Sequence, residues 1–427
     1  MSKIPVLSTN SRLNAQIEKY CVESPTDFFP VFLTEKSRCL EYLNYELPEI
    51  SIFNVSDTKI DMYEILDLMK SDPWFHSGGI IALHAYQNEQ KLEKMMRDSN
   101  VISLIQRSNF HFSFPRALRI LNQNRQFLFQ RDIQQTLLTS IAGSFVIDND
   151  PFDVKTYSHL ISNYLFNANF VNRDDRERLL GALMELLINA IEHGNCKISY
   201  EEKSRWLESG KDIFELIRQK NKNPGICCKK VYFSYRITPE KSSFVIRDEG
   251  EGFDWKERKK KIDEKNYLEL HGRGIMMAEI FVQNLRYNER GNEVSFELEH
   301  QKNETSTRPQ AFRQEKETVF EDGDVIFEEG EESNFLYYIV SGKLQIIAQG
   351  NVVSTLTPAD IFLGEMSFLL NNRRSASVKS EGRSVLLKIS KESFINAIKN
   401  NPHYGIVLAR LLAQRLERMN QLIRASS

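Results

Sequence analysis

The sequence predicts a multidomain chain that joins α/β and α+β units, and three patterns carry that prediction. Over roughly the first third, short apolar runs alternate with helical ones, the rhythm of a parallel sheet with helices on both faces. A central region sets one amphipathic helix ahead of alternating strands and glycine turns. The last quarter holds short strands at close spacing before closing helices, the pattern of a small barrel or jelly roll. At about 150 residues per domain, 427 residues suggest about three domains.

Composition narrows the class. A formal net charge of -2 and a pI near 6.5 give no global case for nucleic acid. With 41% hydrophobic and 27% charged residues, there is enough apolar material for several cores. No secretory leader opens the chain, and no apolar run reaches about 18 residues, so a cytoplasmic protein without membrane attachment is expected. The cysteines Cys21, Cys39, Cys196, Cys227 and Cys228 form no CxxC pair, which indicates neither a disulfide framework nor a zinc site.

In the first domain, FFPVFL, ISIFNV, GIIALHA and VISLI have strand character, with KSRCLEYLNYEL, KIDMYEILDLMK, NEQKLEKMMRD and PRALRILNQN as helices between them. The layout resembles a flavodoxin-like response-regulator receiver, most visibly at Ser113, Phe114 and Pro115 before the last helix. Receivers need an acid pair after the first strand, an acceptor Asp at a strand end and a Lys before that proline. Here the first clear strand ends in Leu33, Thr34 and Glu35, the second in Asn54, Val55, Ser56 and Asp57, and Phe114 stands at the Lys position. Asp57 is either an acceptor or a turn residue opening the next helix. The expectation is a degenerate receiver used for binding or dimerisation. A polar helix from about Asn122 to Ser140 links it onward.

GSFVIDND then predicts a strand with a turn, and DVKTYSHLISNYLFNANF a helix. In MELLINAIEHGN and the turn ahead of it, Leu179, Leu183, Leu187 and Ile191 make a core-facing stripe, while Glu185, Asn189 and His193 share another face. Gly194 and Asn195 supply the stop. A carboxylate one turn before a carboxamide suits a metal-bound phosphate, because the amide oxygen can ligate Mg2+ while the carboxylate orients or deprotonates a hydroxyl. KKVYFSYRIT and SSFVIRDEG follow as strands, the second leading into Asp248, Gly250 and Gly252. After a basic run from Lys256 to Lys261, Gly272 and Gly274 open a helix, where backbone N–H groups and the dipole favour an anion.

ELLINAIEHGN, RDEGEGFD and HGRGI, in that order and separated by strands, resemble the N, G1 and G2 boxes of the GHKL ATPases, over about Ile141 to Glu299. Among these, the anti-sigma-factor serine kinases share the NAxxH run, and YNERGNEVSF resembles their closing strand turn. The resemblance implies a GHKL α/β sandwich binding ATP and Mg2+, with Asn189 as metal ligand and Asp248 accepting from the adenine amino group. It further implies that Gly250 and Gly252 shape the base pocket, Gly272 and Gly274 hold the triphosphate, and Glu185 is the general base. The polar segment from Lys197 to Asn223 has no counterpart in that pattern.

Past a polar linker come VIFEEG, FLYYIVSG, KLQIIAQG, VVSTLTP, SASVKSE and SVLLKIS as short strands, then helices KESFINAIKNN and GIVLARLLAQRLERMNQLI. In FLGEMSFLLNNRRSASV, Glu365 after Gly364 would seat a ribose hydroxyl and Arg374 a phosphate. This resembles the phosphate-binding cassette of cyclic-nucleotide-binding domains, a β-roll with C-terminal helices, over about Val319 to Ile423. Arg373 stands where that family commonly has a proline, and Ser375 after the arginine favours cyclic AMP over cyclic GMP. Leu408, Leu411, Leu412, Leu416 and Met419 give the final helix an apolar face, to cover the nucleotide or to pair two subunits as a homodimer.

The expected boundaries are 1–135, 136–300, a linker 301–315, and 316–427. The resemblances imply a signalling regulator with an anti-anti-sigma type or other regulatory protein as partner, acting as a serine/threonine kinase or ATP-dependent binder under cyclic-nucleotide control. The rival is a non-enzymatic regulator in which both nucleotides only shape an interaction surface.

Overall fold

The computed structural model describes residues 2–23, 27–72, 78–85, 92–93, 96, 99–128, 140–168, 170–238, 240–253, 282–300, 309–409, 411–413 and 416. The chain forms two compact units: residues 1–108, 128–137 and 303–427 make one, and residues 109–127 and 138–302 the other.

In the first unit, β1 (Ser2–Leu7), β2 (Phe28–Leu33), β3 (Ile50–Asn54), β4 (Gly79–His84) and β5 (Val101–Gln106) form a parallel sheet in the order β2-β1-β3-β4-β5. Every residue of β3 and β4 is buried, as a strand covered on both faces requires, and this is why both are near-continuous apolar runs. The crossovers include α1 (Ser11–Glu23), α2 (Lys36–Glu46) and α3 (Met62–Ser71). Leu43, Ile65, Leu66 and Met69 pack with Phe53, Ile80 and Ala82 in one core.

The apolar alternation locates β2 to β5 but neither β1 nor α1, so the expected first and second strands are the second and third. SKIPVL is short, polar at its start and interrupted by Pro5, which argues against a central strand. Here Pro5 precedes the pairing of β1 with β3, which begins at Val6↔Ile52, so the ring sits where that side of the strand has no ladder partner.

The same unit holds a second sheet built from the C-terminal residues: β11 (Glu317–Phe320), β12 (Val325–Phe327), β13 (Phe335–Ala348), β14 (Asn351–Leu356), β15 (Phe362–Leu363) and β16 (Ser377–Ser390). It runs β11-β16-β13-β14, with β12 on β16 and β15 on β13. FLYYIVSG and KLQIIAQG, expected as two strands, are one 14-residue strand, as are SASVKSE and SVLLKIS. Glycine marks a bulge rather than a turn in β13. Gly342 has φ +97, a Cβ there would lie 2.2 Å from Ser384 Oγ, and the register against β16 shifts beside it. The short helix Glu365–Leu370 and the helix Lys391–Asn400 follow their strands. Residues 403–409 and 411–413 are helical. Leu408 and Leu411 belong to the domain's own core, whereas Leu416 is exposed; Met419 lies outside the described residues.

In the second unit, β6 (Ile141–Ile147), β7 (Val231–Ile237), β8 (Lys241–Asp248), β9 (Gln283–Tyr287) and β10 (Glu293–Glu299) form an antiparallel sheet, β6-β7-β8-β10-β9. Burial alternates along β7 and β8, so one face is packed and the other open. The helices of this unit are α4 (Phe110–Gln123), α5 (Pro151–Asn167), α6 (Arg173–Asn189), α7 (Tyr200–Glu208), α8 (Ile213–Lys220) and α9 (Pro224–Cys227). α4 begins ahead of Pro115, the expected start, and Phe114 is a core residue within it. Of the expected linking helix, Arg125–Phe127 is a single 3-10 turn, and residues 129–139 lie outside the described residues.

One side chain fastens α4 to the start of α5. The Arg116 guanidinium reaches Asp153 at 2.7 Å, Asp150 at 3.0 Å and Asp148 at 3.2 Å. Asp153 is 2% exposed; burial pushes its carboxyl up, against the pull of the arginine. Removing one partner of a buried ion pair strands the other in low dielectric. Arg116→Ala should therefore cost about 3 kcal/mol, read as a lower urea midpoint of the full chain, and Asp153→Asn in the same background should recover part of the loss.

Candidate functional site

The buried stripe of α6 faces the core as its spacing requires: Leu179, Leu183, Leu187 and Ile191 are each at most 1% exposed. That fixes Glu185 and Asn189, one turn apart, half-buried on another face. Asn189 Nδ2 donates to Glu185 Oε1 at 2.9 Å. The bond turns the amide oxygen away from the carboxylate and leaves Glu185 Oε2 outside the contact. A fixed amide oxygen is a hard donor suited to Mg2+, and a carboxylate beside it suited to a hydroxyl proton.

Beyond Asn189 the helix widens into a single π turn, Ala190–Asn195, a distortion that often marks functional sites. It carries Gly194 against the end of β8. A Cβ on Gly194 would lie 2.4 Å from Asp248 Cγ, and one on Gly250 would lie 2.4 Å from the Gly194 carbonyl oxygen. Gly252, at φ +81, would meet the Arg290 carbonyl at 1.9 Å. These glycines therefore serve close approach between three backbone segments as well as any ligand. Gly250 N–H donates to Asp248 Oδ1 at 2.7 Å. His193, the third member of the polar face, instead sets its Nδ1 2.6 Å from the Ile198 carbonyl and closes the turn.

The segment from Lys197 to Asn223, without a role in the sequence pattern, contains α7 and α8. Lys203 of α7 reaches Glu192 Oε2 at 2.5 Å. Glu192 is 1% exposed; burial raises its carboxyl above the usual range, partly offset by Lys203. Gly272, Gly274 and the basic run Lys256 to Lys261 lie outside the described residues.

A separate polar site lies between the helix Glu365–Leu370 and the strand after it. Arg374 is 5% exposed and Glu365 also 5%. The Arg374 guanidinium donates to the Gly364 carbonyl (2.9 Å), Ser367 Oγ (2.9 Å) and the Phe335 carbonyl (2.6 Å), and lies 4.2 Å over the Phe327 ring. Its Nε is buried with no hydrogen-bond partner among the described residues. Gly364 makes room for it, since a Cβ there would lie 2.2 Å from Nη1. Burial lowers the guanidinium's affinity for its proton. Glu331 and Glu365 lie near enough to favour its charge, but the groups it donates to are neutral, which suits it to a further anion; Ser375 beside it is exposed.

A family model for the histidine kinase-like ATPase domain matches residues 147–298, and one for the cyclic nucleotide-binding domain matches residues 317–401. The chain carries both domains. It is a mixed α/β multidomain protein with a β-sheet cyclic-nucleotide-binding fold. The chain is 31% identical over 104 residues to the Pycsar effector protein XpPycTIR of Xanthomonas perforans, covering 24% of this chain and 34% of that one. It is 33% identical over 103 residues to the cyclic AMP receptor protein of Thermus thermophilus, covering 23% and 47%. Among solved structures, the Thermus thermophilus catabolite activator protein is similar at 28% identity and a TM-score of 0.25, over 27% of this chain and 56% of that one. The chain thus spans between a third and a half of these two curated relatives. No helix among the described residues is long and apolar enough to cross a membrane.

Sequence reasoning missed the side chains that brace the ATPase domain's site. Asn195 is 0% exposed; its amide donates to Asn149 Oδ1 (2.8 Å) and the Lys230 carbonyl (3.1 Å), and its oxygen accepts from Glu249 N–H (2.8 Å). From the other side, Asn292 Nδ2 donates to the Asp248 carbonyl at 3.0 Å. EHGN and ERGN were the available signals, though asparagine beside glycine reads first as a turn.

The N-terminal sheet ends in a polar cluster of its own. Asn54 closes β3, and its amide donates to Ser8 Oγ at 3.1 Å while its oxygen accepts from Arg107 Nη2 at 2.8 Å. Asp57 accepts from Thr9 N–H at 2.6 Å and Lys59 N–H at 3.0 Å. Burial raises its carboxyl, but these hydrogen bonds outweigh that and hold it below the usual range. Asp61, not Asp57, caps α3.

Burial pushes the Asp248 carboxyl up to about 6, against the lowering by Gly250 N–H and Lys229. A carboxyl raised on folding stabilises the protein most below its unfolded value, and that contribution falls away as pH climbs through the folded one. Between about pH 4 and pH 6 the wild type should lose on the order of 2 kcal/mol relative to Asp248→Asn, and the gap should level off by about pH 7. Urea midpoints of both proteins across pH 4–7 check this; parallel curves would contradict it.

Proposed function

We propose that the chain is a cytoplasmic signalling regulator that binds ATP with Mg2+ and a cyclic nucleotide, cyclic AMP in preference. In this reading it phosphorylates a serine or threonine of an anti-anti-sigma type partner, or binds such a partner in an ATP-dependent way, and the cyclic nucleotide sets its state. The observation that carries the proposal is the Glu185–Asn189 pair at 2.9 Å at the head of a glycine-lined turn, within an ATPase domain. Asn189 would hold Mg2+ through its amide oxygen. Glu185 would take the proton of the partner's hydroxyl as that oxygen attacks the terminal phosphoryl group of ATP. Asp248 would accept from the adenine amino group, beside Gly250 and Gly252, and the backbone at Gly272 and Gly274 would hold the triphosphate.

At the cyclic nucleotide-binding domain, Arg374 would pair with the cyclic phosphate and Glu365 with the ribose, Gly364 giving the guanidinium room. Ser375 supports cyclic AMP. The N-terminal domain would be a degenerate receiver: its strand order β2-β1-β3-β4-β5 is that of flavodoxin-like folds, but an asparagine ends β3 and an arginine follows β5. Its use would be binding or dimerisation.

A second, non-enzymatic reading rests on the same contact, since the bond from Asn189 engages one oxygen of the supposed base. The readings separate on one variant. If Glu185 is the base, Glu185→Ala lowers phosphate transfer or release at least 100-fold while ATP affinity stays within about twofold. Equal turnover in both proteins retires that role, and no turnover in either favours the non-enzymatic regulator. For the sensor, Arg374→Ala should weaken cyclic AMP binding by at least about 100-fold, measured by calorimetry on the full chain.

A further inference from the structure

Among the described residues, a polar and buried contact links the cyclic nucleotide-binding domain to the N-terminal sheet domain. Asp72, directly after α3, is 3% exposed, and His403 and Tyr404 at the start of the C-terminal helix are 0% exposed. Tyr404 Oη donates to Asp72 Oδ2 at 2.8 Å, and His403 Nε2 lies 2.9 Å from the same oxygen. His403 Nδ1 lies 2.8 Å from Asn44 Oδ1 on α2. The groups are more than 300 positions apart in sequence, so nothing local to the chain imposes the meeting.

Tyr404 also reaches back toward the cassette. Its hydroxyl accepts from Ala311 N–H at 3.2 Å, and its ring meets Phe312 edge-on at 5.2 Å. Phe312 stacks on Phe394 at 6.3 Å, and Phe394 meets Phe368 edge-on at 5.7 Å. Phe368 sits on the helix Glu365–Leu370, whose Ser367 holds Arg374. A continuous row of packed rings thus runs from the cassette helix to the Asp72 contact, the kind of chain through which a shift at one end biases the other. A buried carboxylate that loses its donors is left uncompensated, so intermediate positions of the contact are disfavoured and the contact suits two discrete arrangements.

We propose that the surface around Asp72 and Asn44 is the docking site of the sensor's C-terminal helix, and that a ligand at Arg374 alters the grip of His403 and Tyr404 on it. The N-terminal domain is then the direct recipient of the cyclic-nucleotide signal. The inference rests on the reading that the cassette binds a cyclic nucleotide. By linkage, whatever the ligand does to the contact, the contact does to ligand affinity by the same factor, and a contact that only fastens two domains together does not share this property.

The test uses the full chain with cyclic AMP as probe. Calorimetry gives its dissociation constant for wild type, Asp72→Asn and Tyr404→Phe, and hydrogen exchange follows residues 62–72 with and without ligand. The expected result is an exchange rate in 62–72 changed at least threefold by cyclic AMP in wild type but not in the variants, with dissociation constants in the variants shifted at least threefold. Tyr404→Phe removes one hydroxyl and no packing, so it decides the matter if Asp72→Asn does not fold. Wild-type binding with smaller changes on both measures overturns the coupling alone. No binding by wild type at millimolar ligand overturns the cassette reading and the coupling together.

Discussion

The candidate ATP site depends on how closely three backbone segments approach one another. The π turn after α6, the end of β8 and the turn before β10 meet where any Cβ on Gly194, Gly250 or Gly252 would fall within 2.4 Å of a neighbouring atom. Such an approach buries peptide groups, which must find partners. Asn195 and Asn292 supply them from opposite sides, tying Lys230, Glu249 and Asp248. An asparagine does this well because it offers donors and an acceptor without charge. The position of Asp248, and the burial that raises its carboxyl, are consequences of that convergence rather than of β8 alone.

Charge is treated differently at the two sites. In the ATPase unit each deeply buried carboxylate of an ion pair has its cation: Asp153 has Arg116 and Glu192 has Lys203. Such pairs contribute little net stability but are costly to break, so they fix α4 and α7 in place. Arg374 is buried too, yet its guanidinium donates to two carbonyls and a hydroxyl, with the face of Phe327 beneath. Neutral acceptors and a ring quadrupole offset part of the desolvation of a guanidinium. Glu331 and Glu365 add to that offset from nearby, and an anion hydrogen-bonded to the guanidinium would offset more, so this site is a better candidate for a charged ligand than the paired ones.

Much of this was legible in the sequence because it follows from periodicity. The stripe Leu179, Leu183, Leu187 and Ile191 is helical arithmetic, and β2 to β5 are apolar runs with breaks between them. What periodicity cannot register are features set by distant neighbours. SKIPVL forms a central strand because β2 and β3 flank it, despite Pro5. Gly342 is a bulge because Ser384 leaves no room for a side chain, whereas in sequence a glycine between two apolar runs reads as a turn. The roles of Asn195, Lys203 and Asp72 lie in partners 11 to more than 300 residues away, and no local pattern marks them. Glu185, Asn189, Asp248 and Arg374 stand out as candidates in the sequence because the motifs carrying them are compact and lie near element ends.

The polar character of the Asp72 contact bears on what kind of interface it is. An apolar patch of the same size would tolerate sliding, since burial depends on area and little on direction. The hydrogen bond from Tyr404 Oη to one carboxylate oxygen, and the contacts between the His403 ring nitrogens and Asp72 and Asn44, depend on both distance and angle. A displacement of about 1 Å therefore weakens them sharply while leaving the surrounding core of Phe312, Phe394 and Leu408 packed. Coupling energies between sites are typically about 1–3 kcal/mol, and the net worth of hydrogen bonds to a charged group is of the same order. A contact of this size is strong enough to define one docked geometry and weak enough for a bound nucleotide to alter it.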